Sequence, residues 1–392
     1  MNSDNSPASS DLICLSHLRW NFVWQRPQHL LSRFAKERRV FFVEEPIVVD
    51  DSNADLEINR HESGVKVVTP QIPREHWNAG DGESVLRELF DRLFTAEQIS
   101  DYFFWYYTPM AFEWTKHKEP QAIVYDCMDE LAAFKNAPSQ LIKREQEIFK
   151  VADLVFTGGQ SIFEAKRDKH DRVFAFPSSI EVEHFEQART IVEEPADQRS
   201  IAHPRLGFIG VIDERFDIDL LGKIAALKPD WQFVMIGPVV KINQDDLPAA
   251  TNIHYLGGKK YDELPAYLAG WDAALLPFAL NEATKYISPT KTPEYLAAGL
   301  PVVSTPIRDV VRPYGEMGIV HIAETPEGFV QSCEEALRED KRERLKKVDH
   351  LLSQNSWDKT QKQMADLINE AISLNKKHDK LAEKVTSEGG FD

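Results

Sequence analysis

The chain has 392 residues, 42% hydrophobic and 28% charged, which is typical of a folded protein with large cores rather than a disordered or fibrous one. Its formal net charge of −17 argues against nucleic acid and anionic lipid as partners. Three widely spaced cysteines, a polar start without a signal pattern and the lack of any membrane-length apolar run predict a cytoplasmic protein with at most peripheral membrane contact.

Short apolar runs alternate with helical stretches along the first half of the chain, a pattern typical of a parallel sheet covered by helices. The predicted strands are 12–15, 40–43, 65–69, 102–106, 122–125, 154–157 and 173–176. They predict a Rossmann-like lobe over residues 1–188.

The loop after the first predicted strand is rich in rings and planar polar groups: Trp20, Trp24, Gln25, Arg26 and His29. Flat aromatic faces and planar donors are suited to sugar recognition. We therefore predict that Trp20, Gln25, Arg26 and His29 contact a sugar-like substrate. The alternative for the tryptophans is packing in the core.

Further candidates follow later strands of this lobe. The aromatic strand 102–106 is predicted to be core, whereas Tyr107 at its end is expected to reach substrate. Asp126 ends a predicted strand and Asp129 follows it, so either carboxylate could orient or deprotonate a hydroxyl or could cap the next helix. His17, at the end of the first strand, is the rival base because its unperturbed pKa lies near neutrality.

A turn and a linker complete this half of the chain. Gly158, Gly159 and Ser161 form a turn suited to an anion. The polar, proline-bearing segment 186–204 predicts a linker.

Predicted strands resume at 206–209, 232–236, 253–256, 273–276, 301–304 and 320–322. They predict a second Rossmann-like lobe over residues 189–356. Helical periodicity from Trp357 predicts a C-terminal helix and charged tail over 357–392, with the helix packing back on the N-terminal lobe.

One strand-to-helix junction of the second lobe is suited to a diphosphate and contains Ser288, Pro289, Thr290, Lys291 and Glu294. Ser288 is a good N-cap, Pro289 suits the first helical position, and the next two residues offer N–H groups, a hydroxyl and an ammonium. Glu294 could accept both hydroxyls of a ribose. The alternative is an ordinary capped helix.

The sequence PEYLAAGLPVVSTPI at this junction resembles the donor-site signature of GT-B glycosyltransferases, most closely glycosyltransferase family four. Segments 252–278 and 176–185 and the motif WQRPQHLLSRFA extend the resemblance over residues 12–372. It implies two Rossmann-like lobes with a cleft between them, in the α/β class. It also implies that Glu294 binds ribose and that the segment containing Gly257 walls the nucleotide base.

Two departures from the family pattern leave the donor sugar and the stereochemical outcome open. Tyr286 stands where the family has the first glutamate of its pair, and by that position it is expected to contact the donor. Val211 stands where the family has a basic residue. Arg215 could replace that residue, with Lys285 or Lys291 as the second charge. The alternative for Arg215 is a surface salt bridge with acidic neighbours.

The resemblance implies transfer of a sugar from a nucleotide diphosphate sugar, expected to be UDP-linked, to a glycan or lipid-linked glycan acceptor in polysaccharide or glycoconjugate synthesis. In this interpretation Trp20, Gln25, Arg26, His29, Tyr107 and Asp129 bind acceptor, and Asp126 or His17 is the base. No metal or other cofactor is expected, because cationic side chains would neutralise the diphosphate. Two alternatives are a nucleotide-sugar epimerase of the same fold and a non-catalytic nucleotide-sugar binding protein.

Overall fold

The computed structural model describes residues 10–50, 53–134 and 137–388. Within these ranges the chain forms two α/β lobes, each built on its own sheet. The strands of the first lobe are β1 Asp11–Leu15, β2 Val40–Val43, β3 Ile47–Val49, β4 Asp55–Arg60, β5 Lys66–Pro73, β6 Tyr102–Tyr106, β7 Ile123–Cys127, β8 Leu154–Thr157 and β9 Val173–Ala175. Those of the second are β10 Arg205–Ile209, β11 Gln232–Ile236, β12 Ile253–Gly257, β13 Ala273–Leu276, β14 Val302–Ser304 and β15 His321–Ile322.

Helices cover the sheets and connect successive strands. In the first half they are α1 Arg26–Phe34, α2 Arg74–Ala79, α3 Gly82–Ala96, α4 Phe112–Thr115, α5 Leu141–Val151, α6 Gln160–Lys166 and α7 Val182–Phe185. In the second half they are α8 Ile218–Leu227, α9 Leu264–Ala269, α10 Lys291–Ala297, α11 Arg308–Val310, α12 Pro326–Arg338, α13 Lys341–Leu352 and α14 Trp357–Glu388. Every helix in the described part of the chain is too short or too polar to cross a membrane.

The first sheet has the strand order β3-β5-β2-β1-β6-β7-β8-β9, with β4 paired to β5. Its central strands are apolar and fully buried because helices cover both faces, and their pairing is parallel. Strand β4 is the antiparallel exception, and most of its side chains are exposed. Strands β3 and β4 were not predicted, since β3 is very short and the sequence of β4 is mostly polar.

The second sheet is parallel throughout, in the order β12-β11-β10-β13-β14-β15. The chain winds outward in opposite directions from β10 and β13, and in the first sheet from β1 and β6. Open α/β sheets bind ligands at such switch points, beyond the carboxyl ends of the strands. The residues best placed to bind a ligand are therefore those that follow β1, β6, β10 and β13.

The C-terminal helix α14 lies against the first lobe. Its buried side chains, including Trp357, Met364 and Ile368, join the core formed by β1, β6 and α1. The ring of Trp357 stacks on His29 of α1, with ring centroids 4.7 Å apart and an interplanar angle of 10°. The end of the chain thus returns to the lobe in which it begins.

Candidate functional site

Two cavities open between the lobes beside the switch points. The donor-side cavity, of about 580 Å³, is lined by Phe22, Val23 and Trp24 of the first lobe and by Gly210, Val211, Gly237, Lys259, Lys260, Tyr261 and Lys291 of the second. The acceptor-side cavity, of about 520 Å³, is lined by His17, Gln25, Thr108, Asp129 and Phe134 of the first lobe and by Asp213, Arg215 and Lys241 of the second. Phe22, Val23 and Val211 border both cavities, so the two are neighbours.

The close approach of two second-lobe loops shapes the donor-side cavity. Gly237 follows β11 with φ of +146°, and a Cβ atom at this position would lie 1.8 Å from the carbonyl oxygen of Gly210. Only glycine fits this contact. The backbone after β10 and β11 can therefore come together at the floor of the cavity.

Helix α10 carries the predicted donor-binding residues but begins later than predicted. Thr290 is its N-cap, without a side-chain cap hydrogen bond, and Lys291 is its first residue. Ser288 and Pro289 therefore precede the helix, and the predicted capping by Ser288 is wrong. The cause is tertiary, because Ser288 lies at the lobe interface, where its Cβ would be 2.7 Å from a Cβ at Gly159.

Lys291 and Glu294 both face the region between the lobes. Lys291 lines the donor-side cavity, and its Nζ lies 2.6 Å from a carboxylate oxygen of Glu294. Glu294 and Thr290 line a narrow gap beside that cavity, together with His29 and Tyr261. The ammonium and the carboxylate are thus in reach of one ligand.

The other predicted donor residues are dispersed. Lys285 is half exposed, 3.8 Å from Glu282, and lies over the ring of Tyr286. Tyr286 packs against the apolar core of the first lobe. Neither residue lines the two cavities, so the structure gives no support to their predicted contact with the donor. Tyr286 thus makes an apolar contact between the two lobes.

Gly257 ends β12 with φ of +69° and lines an outer depression of the second lobe rather than the donor-side cavity. The residues that follow it, Lys259, Lys260 and Tyr261, do line that cavity. They were not predicted individually. The signal was present, because a basic pair directly follows the glycines at the carboxyl end of a strand.

Arg215 forms a salt bridge with an acidic neighbour, which was the alternative to its predicted role in binding the donor. Its Nε and Nη2 donate to the Asp213 carboxylate at 3.0 and 2.8 Å. It still lines the acceptor-side cavity, where its guanidinium lies 5.6 Å from the ring centroid of Phe134. Lys241, which was not predicted, places its ammonium 5.2 Å from the same ring. Two cations of the second lobe thus meet one aromatic ring of the first.

The predicted base Asp126 is not accessible. Strand β7 extends through Cys127, so Asp126 lies within the strand rather than after it. Its two carboxylate oxygens accept hydrogen bonds from Nε and Nη2 of Arg26, each at 3.0 Å, and neither side chain is more than 1% exposed. Burial raises the pKa of Asp126, against the opposing charge of Arg26. The prediction that Arg26 binds acceptor and Asp126 acts as base is therefore contradicted.

Three predicted acceptor contacts also belong to the interior. Trp20 is 2% exposed and packs edge-on against Phe42, with ring centroids 5.1 Å apart. Tyr107 is 1% exposed, beyond the reach of a ligand in the cleft. His29 is buried and stacked on Trp357, and it borders only the narrow gap. For Trp20 the alternative of core packing was right, whereas the expectation that Tyr107 reaches substrate is wrong, because its side chain is buried.

His17, Gln25 and Asp129 remain in the acceptor-side cavity. Burial lowers the pKa of His17, and the nearby charge of Asp129 opposes that shift. The imidazole is therefore neutral at neutral pH and able to accept a proton. Its Nδ1 has no hydrogen-bond partner among the described residues.

The predicted anion-binding turn is filled by the protein itself. The backbone N–H groups of Gln160 and Ser161 donate to the carboxylate of Asp309 from the other lobe, at 2.9 and 3.1 Å. A Cβ atom at Gly159 would lie 2.3 Å from this carboxylate. Arg308 forms a further ion pair across the interface with Glu164. The turn is an interlobe contact.

The comparisons with known proteins agree with this architecture. Residues 203–339 match the family of glycosyl transferases group 1. The sucrose-phosphate synthase of Thermosynechococcus elongatus superposes with a TM-score of 0.68 and 14% identity, covering 93% of this chain and 100% of its own. A trehalose-6-phosphate structure from E. coli bound with UDP-2-fluoro glucose superposes at 0.67 and 14%, covering 91% and 99%. The chain has the GT-B fold. The two-lobe architecture implied by the sequence resemblance is confirmed.

A sequence relative gives a further comparison. The putative teichuronic acid biosynthesis glycosyltransferase TuaH of Bacillus subtilis (strain 168) is 27% identical over 254 residues, or 58% of this chain. The chain spans 61% of the length of that protein. In the described part of the chain no three His, Cys, Asp or Glu side chains group closely enough to hold a metal ion.

Proposed function

We propose that the chain is a glycosyltransferase that moves a sugar from a nucleotide diphosphate sugar to a hydroxyl of a glycan or lipid-linked glycan. The observation that supports this most is the pair of neighbouring cavities between the lobes, one basic and one containing a neutral histidine. Transfer needs one site for the donor and one for the acceptor. The match to glycosyl transferases group 1 over the second lobe supports the same assignment.

In this proposal the second lobe binds the donor. Lys291, with Lys260 at the same cavity, neutralises the diphosphate, and Glu294 accepts hydrogen bonds from the ribose hydroxyls. Lys259 also lines this cavity, but its ammonium is paired with Asp197 at 2.6 Å. When the donor binds, the ammonium of Lys291 contacts the phosphate oxygens, and its contact with the Glu294 carboxylate weakens. We infer a UDP-linked donor because of the likeness to the structure bound with UDP-2-fluoro glucose.

The first lobe presents the acceptor. His17 takes the proton of the attacking hydroxyl while the bond between the anomeric carbon and the diphosphate oxygen breaks and the nucleotide diphosphate leaves with that electron pair. Asp129 lies close enough to stabilise the imidazolium that forms. Gln25, on the wall of the same cavity, supplies an amide for acceptor hydroxyls. We place the reaction in the cytoplasm because Cys14, Cys127 and Cys333 are all unpaired.

Calorimetric titration with UDP and with uridine tests the donor site. Lys291→Ala is expected to weaken UDP binding much more than uridine binding, because only UDP carries the diphosphate. Glu294→Gln is expected to weaken both ligands by about ten- to hundredfold, since a hydrogen bond to a charged acceptor contributes about 1.5–3 kcal/mol. Lys285→Ala is the matched control and is expected to bind both normally, because this lysine lies outside the cavities.

Equal losses of UDP and uridine in Lys291→Ala would remove this lysine from the diphosphate site. Formation of an epimer from UDP-sugar alone would replace the transferase by an epimerase. Tight UDP binding without transfer to any acceptor would favour a binding protein.

A further inference from the structure

A third cavity, of about 570 Å³, lies wholly in the first lobe and contains none of the predicted site residues. We call it the tryptophan pocket, after Trp77 and Trp114 in its wall. The rest of its lining includes Glu45, Glu83, Leu86, Thr108, Met110, Pro138 and Arg144. Glu45, Thr108, Met110 and Pro138 also line the acceptor-side cavity, so the two cavities adjoin.

The position of the pocket relates it to the same reaction. It contains Ser16, Val43 and Thr108, which follow or end β1, β2 and β6 at the carboxyl edge of the first sheet. That edge carries the switch point between β1 and β6, where the acceptor-side cavity also lies. A molecule with one end beside His17 can therefore extend into the tryptophan pocket.

Trp77 is the unusual feature of this pocket. It lies on the short helix α2, and 52% of it is exposed, although indole rings are usually largely buried. Trp114 lies beneath the same cavity and is 8% exposed. A broad aromatic face on the wall of an open cavity is suited to stacking against the apolar face of a flat ring.

The charges around the pocket select against anions. Its lining holds three carboxylates, Glu44, Glu45 and Glu83, and the guanidinium of Arg144. The buried carboxylate of Glu44 is already paired with Arg19, at 3.0 Å. Arg144 is already engaged, because it donates to the carbonyl oxygen of Met110 at 2.8 Å and pairs with Glu83. A phosphate or a uronic acid would thus meet the carboxylate of Glu45 and, among the lining residues, no cation that is not already paired, whereas a sugar hydroxyl can donate to the Glu45 carboxylate.

We propose that the tryptophan pocket binds neutral sugar units of an extended glycan acceptor, adjacent to the unit whose hydroxyl reacts. This inference rests on the proposed glycosyltransferase function. It names the acceptor class as an uncharged oligosaccharide longer than one sugar, with Trp77 as the stacking platform.

Saturation-transfer NMR and calorimetry with neutral tetrasaccharides test the proposal: cellotetraose, maltotetraose, mannotetraose and chitotetraose. At least one is expected to bind at least tenfold more tightly than its monosaccharide and than tetragalacturonic acid. Trp77→Ala is expected to lose that tenfold gain and Trp77→Phe to keep most of it. Leu227→Ala, which removes an equally exposed apolar side chain from the second lobe, is the matched control. UDP affinity reports that each variant is folded.

Several outcomes would overturn the inference. Failure of all four tetrasaccharides to bind would do so, as would binding of tetragalacturonic acid as tight as that of the neutral tetrasaccharide. An unchanged tetrasaccharide affinity in Trp77→Ala would also overturn it. Displacement of the tetrasaccharide by farnesyl phosphate would assign the pocket to a lipid instead. Tetrasaccharide binding that depends on Trp77, without transfer from any nucleotide sugar, would instead refute the proposed function and leave the pocket as a glycan site. Transfer to a monosaccharide without tetrasaccharide binding would refute the assignment of the tryptophan pocket and leave the proposed glycosyltransferase function standing.

Discussion

Replacing Asp126 by asparagine removes one charge from an ion pair that is closed off from solvent. Arg26 donates two parallel hydrogen bonds to Asp126, and their side chains are 1% and 0% exposed. Arg26 also donates to the carbonyl oxygen of Phe176 at 2.6 Å, so it cannot turn outward without breaking a further contact. Removing one partner of such a pair leaves a buried charge uncompensated and typically costs about 3–5 kcal/mol.

This loss of folding free energy is expected to lower the midpoint of urea unfolding. For a slope of about 2 kcal/mol per molar urea, the midpoint of first-lobe unfolding is expected to fall by about 1.5–2.5 M. Tryptophan fluorescence and far-ultraviolet circular dichroism measure that midpoint. Turnover per folded molecule is expected to stay within about tenfold of wild type, since loss of a general base costs about 10²–10⁴. The double variant Arg26→Met, Asp126→Leu is expected to recover much of the lost stability, because it removes both charges.

An unchanged urea midpoint combined with a hundredfold loss of turnover would refute this reasoning. Asp126 would then be the base after all, and its pairing with Arg26 would have to open during the reaction.

Three other outcomes are expected. His17→Ala should lower turnover by about 10²–10⁴ while UDP affinity is retained. Because burial lowers the pKa of His17 below the ordinary imidazole value of 6.5, wild-type turnover should stay full from neutral pH into mild acid and fall only as pH drops through that lowered pKa; turnover that already falls above pH 6.5 would argue against this base. Gly159→Ala should push Asp309 away and increase the radius of gyration measured by small-angle X-ray scattering, and an unchanged radius would count against the interlobe contact. Lys166→Met should destabilise the first lobe by about 3–5 kcal/mol in urea unfolding, because the buried carboxylate of Glu145 loses the ammonium 2.7 Å away and is left with neutral donors such as the Tyr125 hydroxyl; a normal midpoint would contradict this.

The sequence predicts those features of the structure that depend on neighbouring residues, and it misses those that depend on contacts between residues distant in the chain. Strands buried on both faces, such as β2 and β8, are continuous apolar runs, and their predicted bounds match the structure. Strand β4 is mostly polar because its side chains are exposed, so periodicity did not indicate it. The start of α10 was misplaced because packing of Ser288 across the lobe interface overrides its capping preference.

The site residues follow the same rule. Lys291 and Glu294, predicted from a donor motif that is contiguous in sequence, do lie at the cavities between the lobes. Asp126 and Arg26 were misassigned because their pairing joins positions 100 residues apart, and nothing local distinguishes a carboxylate in a salt bridge from one in a cleft. Lys241 lies on a loop in the left-handed region, with φ of +63°, and reaches the cavity only through that turn.

Asp309 occupies the place that an external anion would take at the start of α6. Because its carboxylate is tethered to the same chain, its effective concentration there is on the order of millimolar or higher, and free phosphate competes poorly. Separating the lobes costs these two hydrogen bonds together with the ion pair between Arg308 and Glu164. The two lobes are therefore joined at this point by the protein's own groups, and a substrate that needs the lobes further apart requires these contacts to break first.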